Sequence, residues 1–212
     1  MSICVQISES VQKGKAKIVK ELVAQALSEG VNAETILNEA MLSAMDIVGE
    51  KFKNNEVYVP EMLVAARAMN QGMELLKPHL AEAGVTAIGK VALGTVAGDL
   101  HDIGKNLVKL MMEGKGIEVL DLGVDVSAEK FIEAYEQQGI NVFACSALLT
   151  TTMGEMKKVI DLLNEKGIRD KVKVLIGGAP ISQSFCDDIG ADYYSSDAAS
   201  AADLAKKVLL GA

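Results

Sequence analysis

Two histidines occur in this chain of 212 residues, and one of them, His101, sits in the segment AGDLHDIG at residues 97–104, with Asp99 and Asp102 close on either side. Two more segments concentrate small, hydroxyl or ionisable side chains: SALLTTTM at 146–153 and GGAP at 177–180. Each follows a short apolar run. Imidazole, carboxylate and hydroxyl groups beside flexible glycines suit the binding of a ligand more than independent turnover. The chain has no G-x-S-x-G, no phosphate-binding glycine loop and no paired-carboxylate constellation. Cys4, Cys145 and Cys186 are far apart and form no CxxC, which excludes a disulfide framework and a cysteine zinc site.

The elements that must position these segments differ between the two parts of the chain. From about residue 9 to 83, apolar residues recur at steps of three and four and β-branched runs are absent, which predicts helices. Met62, Ala66, Met69, Met73, Leu76 and Leu80 form a stripe on a helix that Pro60 starts and Gly84 ends. An earlier helix carries Ile18, Leu22, Ala26 and Leu27 and stops near Gly30, and another region runs from Asn32 to about Asn54. Together they make a helical bundle over residues 1–84.

From residue 85 to 212 the pattern becomes short apolar runs separated by helical segments. KVALGTV, IEVLDLG, NVFACSAL, VKVLIGG and ADYY are the strand candidates. Five such units predict an α/β fold with a doubly wound, parallel, five-stranded sheet of the Rossmann-like (flavodoxin-like) kind. The glycine-containing stretch EAGVTAIGK at 82–90 is the expected boundary and hinge. Ligands of such sheets settle outside the carboxyl ends of the strands, and all three unusual segments fall there.

Composition narrows the partners. A formal net charge of −8, from 21 Lys and Arg against 29 Asp and Glu, argues against nucleic acid and favours a small organic ligand or a protein partner. No run is long and apolar enough to span a bilayer, and MSICVQISES lacks the regions of a signal peptide. A cytoplasmic location with no membrane partner is expected.

The D-x-H-x-x-G of Asp99, His101 and Gly104, the S-x-L of Ser146 and Leu148, and the Gly177-Gly178 pair together resemble the signature of cobalamin-binding domains, in the same order on strand ends. The upstream segment VYVPEMLVAARAMNQGM resembles the helical cap of methionine synthase and of small corrinoid proteins in methyltransferase systems. The likeness covers nearly the whole chain. It implies cobalamin as cofactor, with methylcobalamin as the loaded form and cobalt as the bound metal.

By this resemblance His101 displaces the cofactor's own base and ligates cobalt from below, a task suited to a neutral imidazole. Asp99 accepts a hydrogen bond from the other ring nitrogen, which orients the ring and raises its basicity. Methionine synthase completes that relay with a serine; Thr152 stands at the matching place. Asp102, Ile103 and Gly104 belong to the same cofactor loop, and Gly177 and Gly178 give the nucleotide tail room. Ser146, Leu148 and Thr150 line the tail, as does the SSDA strip ending at Ala198. Tyr58, Met62 and Met69 are the cap residues implied for the upper corrin face. Asp125 and Asp197, at loop ends, are expected as helix caps.

The resemblance thus implies a non-catalytic methyl carrier, acting between a substrate-specific methyltransferase and a second methyltransferase that methylates a thiol or a folate, with a reductive activating protein. Other readings are weaker. A lone histidine at a helix start is usually a solvated residue, but three coincident loops outweigh that. The His101-Asp102 doublet also occurs in metal-dependent phosphohydrolases, which need further His ligands; only His79 remains, and after Pro78 it reads as solvated. A radical mutase subunit usually lacks the helical cap, and a cobalamin-dependent sensor calls for a basic DNA-binding helix that is not visible.

Overall fold

The computed structural model describes residues 2–211. They divide into two units: one runs to Ala87 and includes Gly114–Gly116, and the other comprises Ile88–Glu113 and the chain from Ile117 onward.

The first unit is helical. It holds α1 (Ile3–Gln12), α2 (Ala16–Ser28), α3 (Ala33–Thr35), a π-helical stretch (Ile36–Leu42) that continues into α4 (Ser43–Lys53), and α5 (Val59–Glu82). Side chains settle the helix starts: the Ser2 hydroxyl accepts from the Val5 amide, and Asn32 accepts from that of Glu34 at 2.7 Å. Helix α1 therefore begins six residues before the expected start, because Ser2 caps it and Ile7 and Val11 already mark a buried stripe. The helical region expected from Asn32 to about Asn54 contains the π-helical stretch, which no glycine or proline announces. In α5 the Tyr58 amide donates to Glu61, Pro60 falls in the first turn, and the helix passes through Pro78 to end before Gly84 at φ +71°. A Cβ on Gly72 would meet Met41 Cε at 2.8 Å and Val19 Cγ1 at 3.0 Å, so a larger residue there would force the packing apart.

The second unit alternates strand and helix: β1 (Lys90–Val96), α6 (Ile103–Glu113), β2 (Glu118–Val126), α7 (Ala128–Gln138), β3 (Val142–Ser146), α8 (Met153–Glu165), a 3₁₀ turn (Arg169–Lys171), β4 (Lys173–Gly177), α9 (Gln183–Ile189), β5 (Tyr193–Ser195) and α10 (Ala198–Leu209). All neighbouring strands are parallel in the order β2-β1-β3-β4-β5. Strand order reverses between β1 and β3, the place in such sheets where ligands settle. Strand β2 extends to Val126, beyond the expected end at Gly123, by following β1 through two register shifts that flank Gly94. Gly94 lies beneath Phe131, whose Cζ would be 2.9 Å from an added Cβ. At the carboxyl edge Thr95, Ser146, Gly177 and Ser195 fall in one register, so the loops that follow start level. Among the described residues no helix is long and apolar enough to cross a membrane.

The core of this unit packs both faces of the sheet. Phe131 of α7 and Phe143 of β3 are fully buried, with ring centroids 5.7 Å apart in a tilted arrangement. Replacing Phe143 by alanine should lower stability by about 3–5 kcal/mol. Urea unfolding followed by circular dichroism tests this, and a loss below about 1 kcal/mol would mean that the ring is not a core element.

Candidate functional site

Two of the loops at the carboxyl edge converge on one side chain. Asp99, in the loop between β1 and α6, is completely buried. Its Oδ1 accepts from the His101 amide at 3.1 Å and lies 2.7 Å from His101 Nδ1. Its Oδ2 accepts from the Leu148 amide at 2.8 Å, the Leu149 amide at 3.3 Å and the Thr152 hydroxyl at 2.8 Å. One carboxylate thus ties the loop after β1 to the loop after β3, across the point where strand order reverses.

Burial pushes the Asp99 carboxyl up, but the amides of Leu148 and His101, the His101 ring and the Thr152 hydroxyl outweigh it and hold the group well below the usual carboxylate range. It is therefore ionised at neutral pH and can only accept hydrogen bonds. Nδ1 of His101 must then carry the proton. With Nδ1 engaged by the carboxylate, Nε2 is the ring nitrogen left to face a ligand. The backbone carbonyl of His101 is held by the buried Thr95 hydroxyl at 2.8 Å, while its side chain is 50% exposed. A rigid loop thus presents a half-exposed imidazole.

The rim around that ring is apolar. Leu100 and Ile103 are 71% and 79% exposed, and Leu148 and Leu149 are also exposed. Large aliphatic side chains left open to water on neighbouring loops mark a ligand surface. Among the described residues no three His, Cys, Asp or Glu side chains are grouped as metal ligands. A lone imidazole beneath an apolar rim fits a metal whose remaining ligands come from a bound cofactor such as a nitrogen macrocycle.

The remaining expected residues sort by unit. Asp102 is exposed and bonded to the Asn106 amide group at 3.1 Å; Gly104 is also exposed, with open space where a Cβ would be. Ser146 ends β3 half-buried, Thr150 is exposed, and Thr152, the N-cap of α8, is buried because its hydroxyl turns inward to Asp99 and to the Leu149 carbonyl instead of capping the helix. Gly177 sits beside the Ser195 carbonyl. Gly178 has φ +135°, and an added Cβ would lie 1.8 Å from the Ala147 carbonyl oxygen, so the close approach that requires glycine there is to the protein's own backbone. Ala198 is buried at the start of α10, which Asp197 caps through the Ser200 amide at 2.8 Å. Tyr58, Met62 and Met69 belong to the helical unit, where Tyr58 is exposed and both methionines are buried.

Asp125 corrects its expected role. It caps no helix, since Ser127 precedes α7; its carboxylate accepts from the Gly98 amide at 2.7 Å instead. Sequence reasoning also missed Thr95, which reads as an ordinary strand residue, and Leu100 and Leu149, whose neighbours carried the motif. Their signal is an aliphatic side chain in a polar loop. Cys145, next to Ser146 in β3, is buried, and burial pushes its thiol up to about 12.

Residues 89–203 match a family model described as a B12 binding domain, and residues 3–77 match a second model of the same description. A corrinoid protein of Desulfitobacterium hafniense is 38% identical over 99% of this chain and 98% of its own length. A dimethylamine corrinoid protein of Methanosarcina acetivorans is 38% identical over 97% of this chain and 96% of its own. Among solved structures, a methanol:cobalamin methyltransferase complex from Methanosarcina barkeri aligns with TM-score 0.87 at 30% identity, covering 99% of this chain and 80% of that one.

Because folding lowers the Asp99 pKa, its ionised form stabilises the cofactor-free protein fully above the ordinary carboxylate value of about 3.9, and this contribution is lost as pH falls. Asp99→Asn should be less stable than the native chain at pH 7, by about 1–3 kcal/mol, since an amide cannot accept from all five donors. The difference should shrink on acidification below pH ~4, where the carboxyl of the unfolded chain takes up a proton that the folded one still refuses. Thermal melts across pH 3–7 provide the check; a constant difference would show that Asp99 is not held ionised by these bonds.

Proposed function

The chain belongs to the family of B12-binding corrinoid proteins, and we propose that it carries a methyl group between two methyltransferases on a corrinoid ligated by His101 with the cofactor's own base displaced. The observation that carries this reading is the Asp99-His101 pair. A buried, ionised carboxylate fixes Nδ1–H at 2.7 Å and leaves Nε2 as the ligand atom on a half-exposed ring. When bound, the cobalt would supply the centre that accepts and releases the methyl group.

Everything else in the step falls to this chain's side chains. Asp99 orients the imidazole and shares its proton, so the ring can bind more or less strongly as the charge above it changes. Thr152 holds the far oxygen of that carboxylate, and Thr95 holds the backbone beneath the ring. Leu100, Ile103, Leu148 and Leu149 offer an apolar seat and keep water from the lower face. The level edge of Ser146, Gly177 and Ser195, with Thr150 and Ala198, is the proposed place for the displaced base and its tail. In the helical unit, exposed Tyr58 is the stronger candidate for corrin contact, and the buried Met62 and Met69 are already engaged in packing.

The relatives support this role. One is named a dimethylamine corrinoid protein, and the solved structure is of a methanol:cobalamin methyltransferase complex. We accordingly read the donor-side partner as a methyltransferase acting on a small methylated substrate, and the acceptor-side partner as one acting on a thiol or a folate. The chain's compact βα unit, with no catalytic constellation, suits a shuttle.

In the cobalt(II) state, electron paramagnetic resonance of the loaded protein should show splitting from one imidazole nitrogen, and His101→Ala should abolish it. Persistence of the splitting in that variant would remove His101 from the metal. Asp99→Asn should keep the cofactor but weaken its retention by roughly ten- to a hundredfold, measured by dialysis against free cobalamin.

A further inference from the structure

We propose that Asp125, at the carboxyl end of β2, is a positioning residue for His101, clamping the Gly98-Asp99 segment so that Asp99 meets the imidazole in a single orientation. Two hydrogen bonds make the clamp. The Asp125 carboxylate accepts from the Gly98 amide at 2.7 Å, and the Asp125 amide donates to the Asp99 carbonyl at 3.0 Å. The segment is thus pinned at its amide end and its carbonyl end by one residue of the neighbouring strand.

Backbone conformation sharpens the point. Asp125 adopts φ +52°, and among the described residues Asn55 is the only other non-glycine in that region. Aspartate tolerates it because a short polar side chain can bond locally, but a residue is kept in such a conformation only where its surroundings over-determine it. Here they do: Val126 still pairs with Val96 in the ladder, and the reversal at Asp125 aims both its amide and its carboxylate at the opposite turn. Gly98 answers with φ +76°, which turns its N–H toward the carboxylate. A bond from an amide to an ionised oxygen at this length is of the stronger, charge-assisted type.

The reach to the ligand is short. Asp99 must satisfy donors from two loops with one carboxylate, so a rotation of its backbone would spoil all five contacts together. Thr152 and the Leu148 and Leu149 amides hold the carboxylate from the β3 side; Asp125 holds the backbone from the β2 side. The effect on cobalt rests on reading His101 as its ligand, whereas the clamp itself does not.

Two variants separate side chain from backbone. Asp125→Gly keeps the positive φ and removes the carboxylate; Asp125→Asn keeps both the conformation and an acceptor oxygen. With two histidines in the chain, ¹⁵N nuclear magnetic resonance of the full-length, cofactor-free protein resolves the His101 tautomer. The native chain and Asp125→Asn should hold the Nδ1–H form, and Asp125→Gly should lower the ratio of that tautomer to the other by about tenfold, the scale of one charge-assisted bond. Cobalt(II) spectra of the loaded proteins should show the imidazole-ligated fraction falling in the same variant and restored in Asp125→Asn. If the glycine variant unfolds, Asp125→Ser, whose hydroxyl is too short for the same reach, is read in its place. A native tautomer ratio and a native spectrum in the variant lacking the carboxylate overturn the proposal, as does an asparagine variant impaired to the same degree. A tautomer shift without imidazole splitting in any loaded protein, native included, leaves the clamp standing and rejects His101 as the ligand.

Discussion

A carboxylate taken entirely out of water must be met by donors on every side, and this requirement at Asp99 organises the carboxyl edge of the sheet. Burial alone opposes the charge. Five hydrogen bonds from two loops reverse the balance, and between them they fix the ring of His101, the turn at Leu148 and Leu149, and the residue that precedes α8. Only adjacent strands could bring these donors together. The β2-β1-β3 order provides that adjacency.

The same edge combines rigidity and openness. Beneath the ring, the Thr95 hydroxyl, the Asp99 network and the approach of Gly178 to the Ala147 carbonyl leave little freedom. Above it, Leu100 and Ile103 stand in solvent, a cost in apolar exposure that a soluble chain would shed unless something covers them. A stiff base under an apolar seat would suit a large, flat ligand.

How far the sequence reveals this depends on the range of the interaction. The five strands, the helix after Pro60 and the three edge loops were readable, because periodicity and glycine positions are local signals. The Asp99-to-Thr152 bond spans 53 positions, and only a family likeness suggested it. Asp125 was read as a cap since a loop-end aspartate usually is one; its true partner, Gly98, lies 27 residues away on the neighbouring strand. Leu100 and Leu149 went unremarked because an exposed aliphatic residue has no pattern of its own. The π-helical stretch at Ile36–Leu42 likewise has no compositional mark, and tertiary packing decides it.

One buried group acquires a meaning from this chemistry. Cys145 lies one residue before the end of β3, close along the chain to the ligand loop, and sulfur is the natural competitor for an electrophilic methyl group. With its thiol pushed up to about 12 by burial, the reactive thiolate is scarce at pH 7. Burial therefore protects the carrier from alkylating itself, and a change that opened the end of β3 to water would turn a silent core residue into a suicide acceptor.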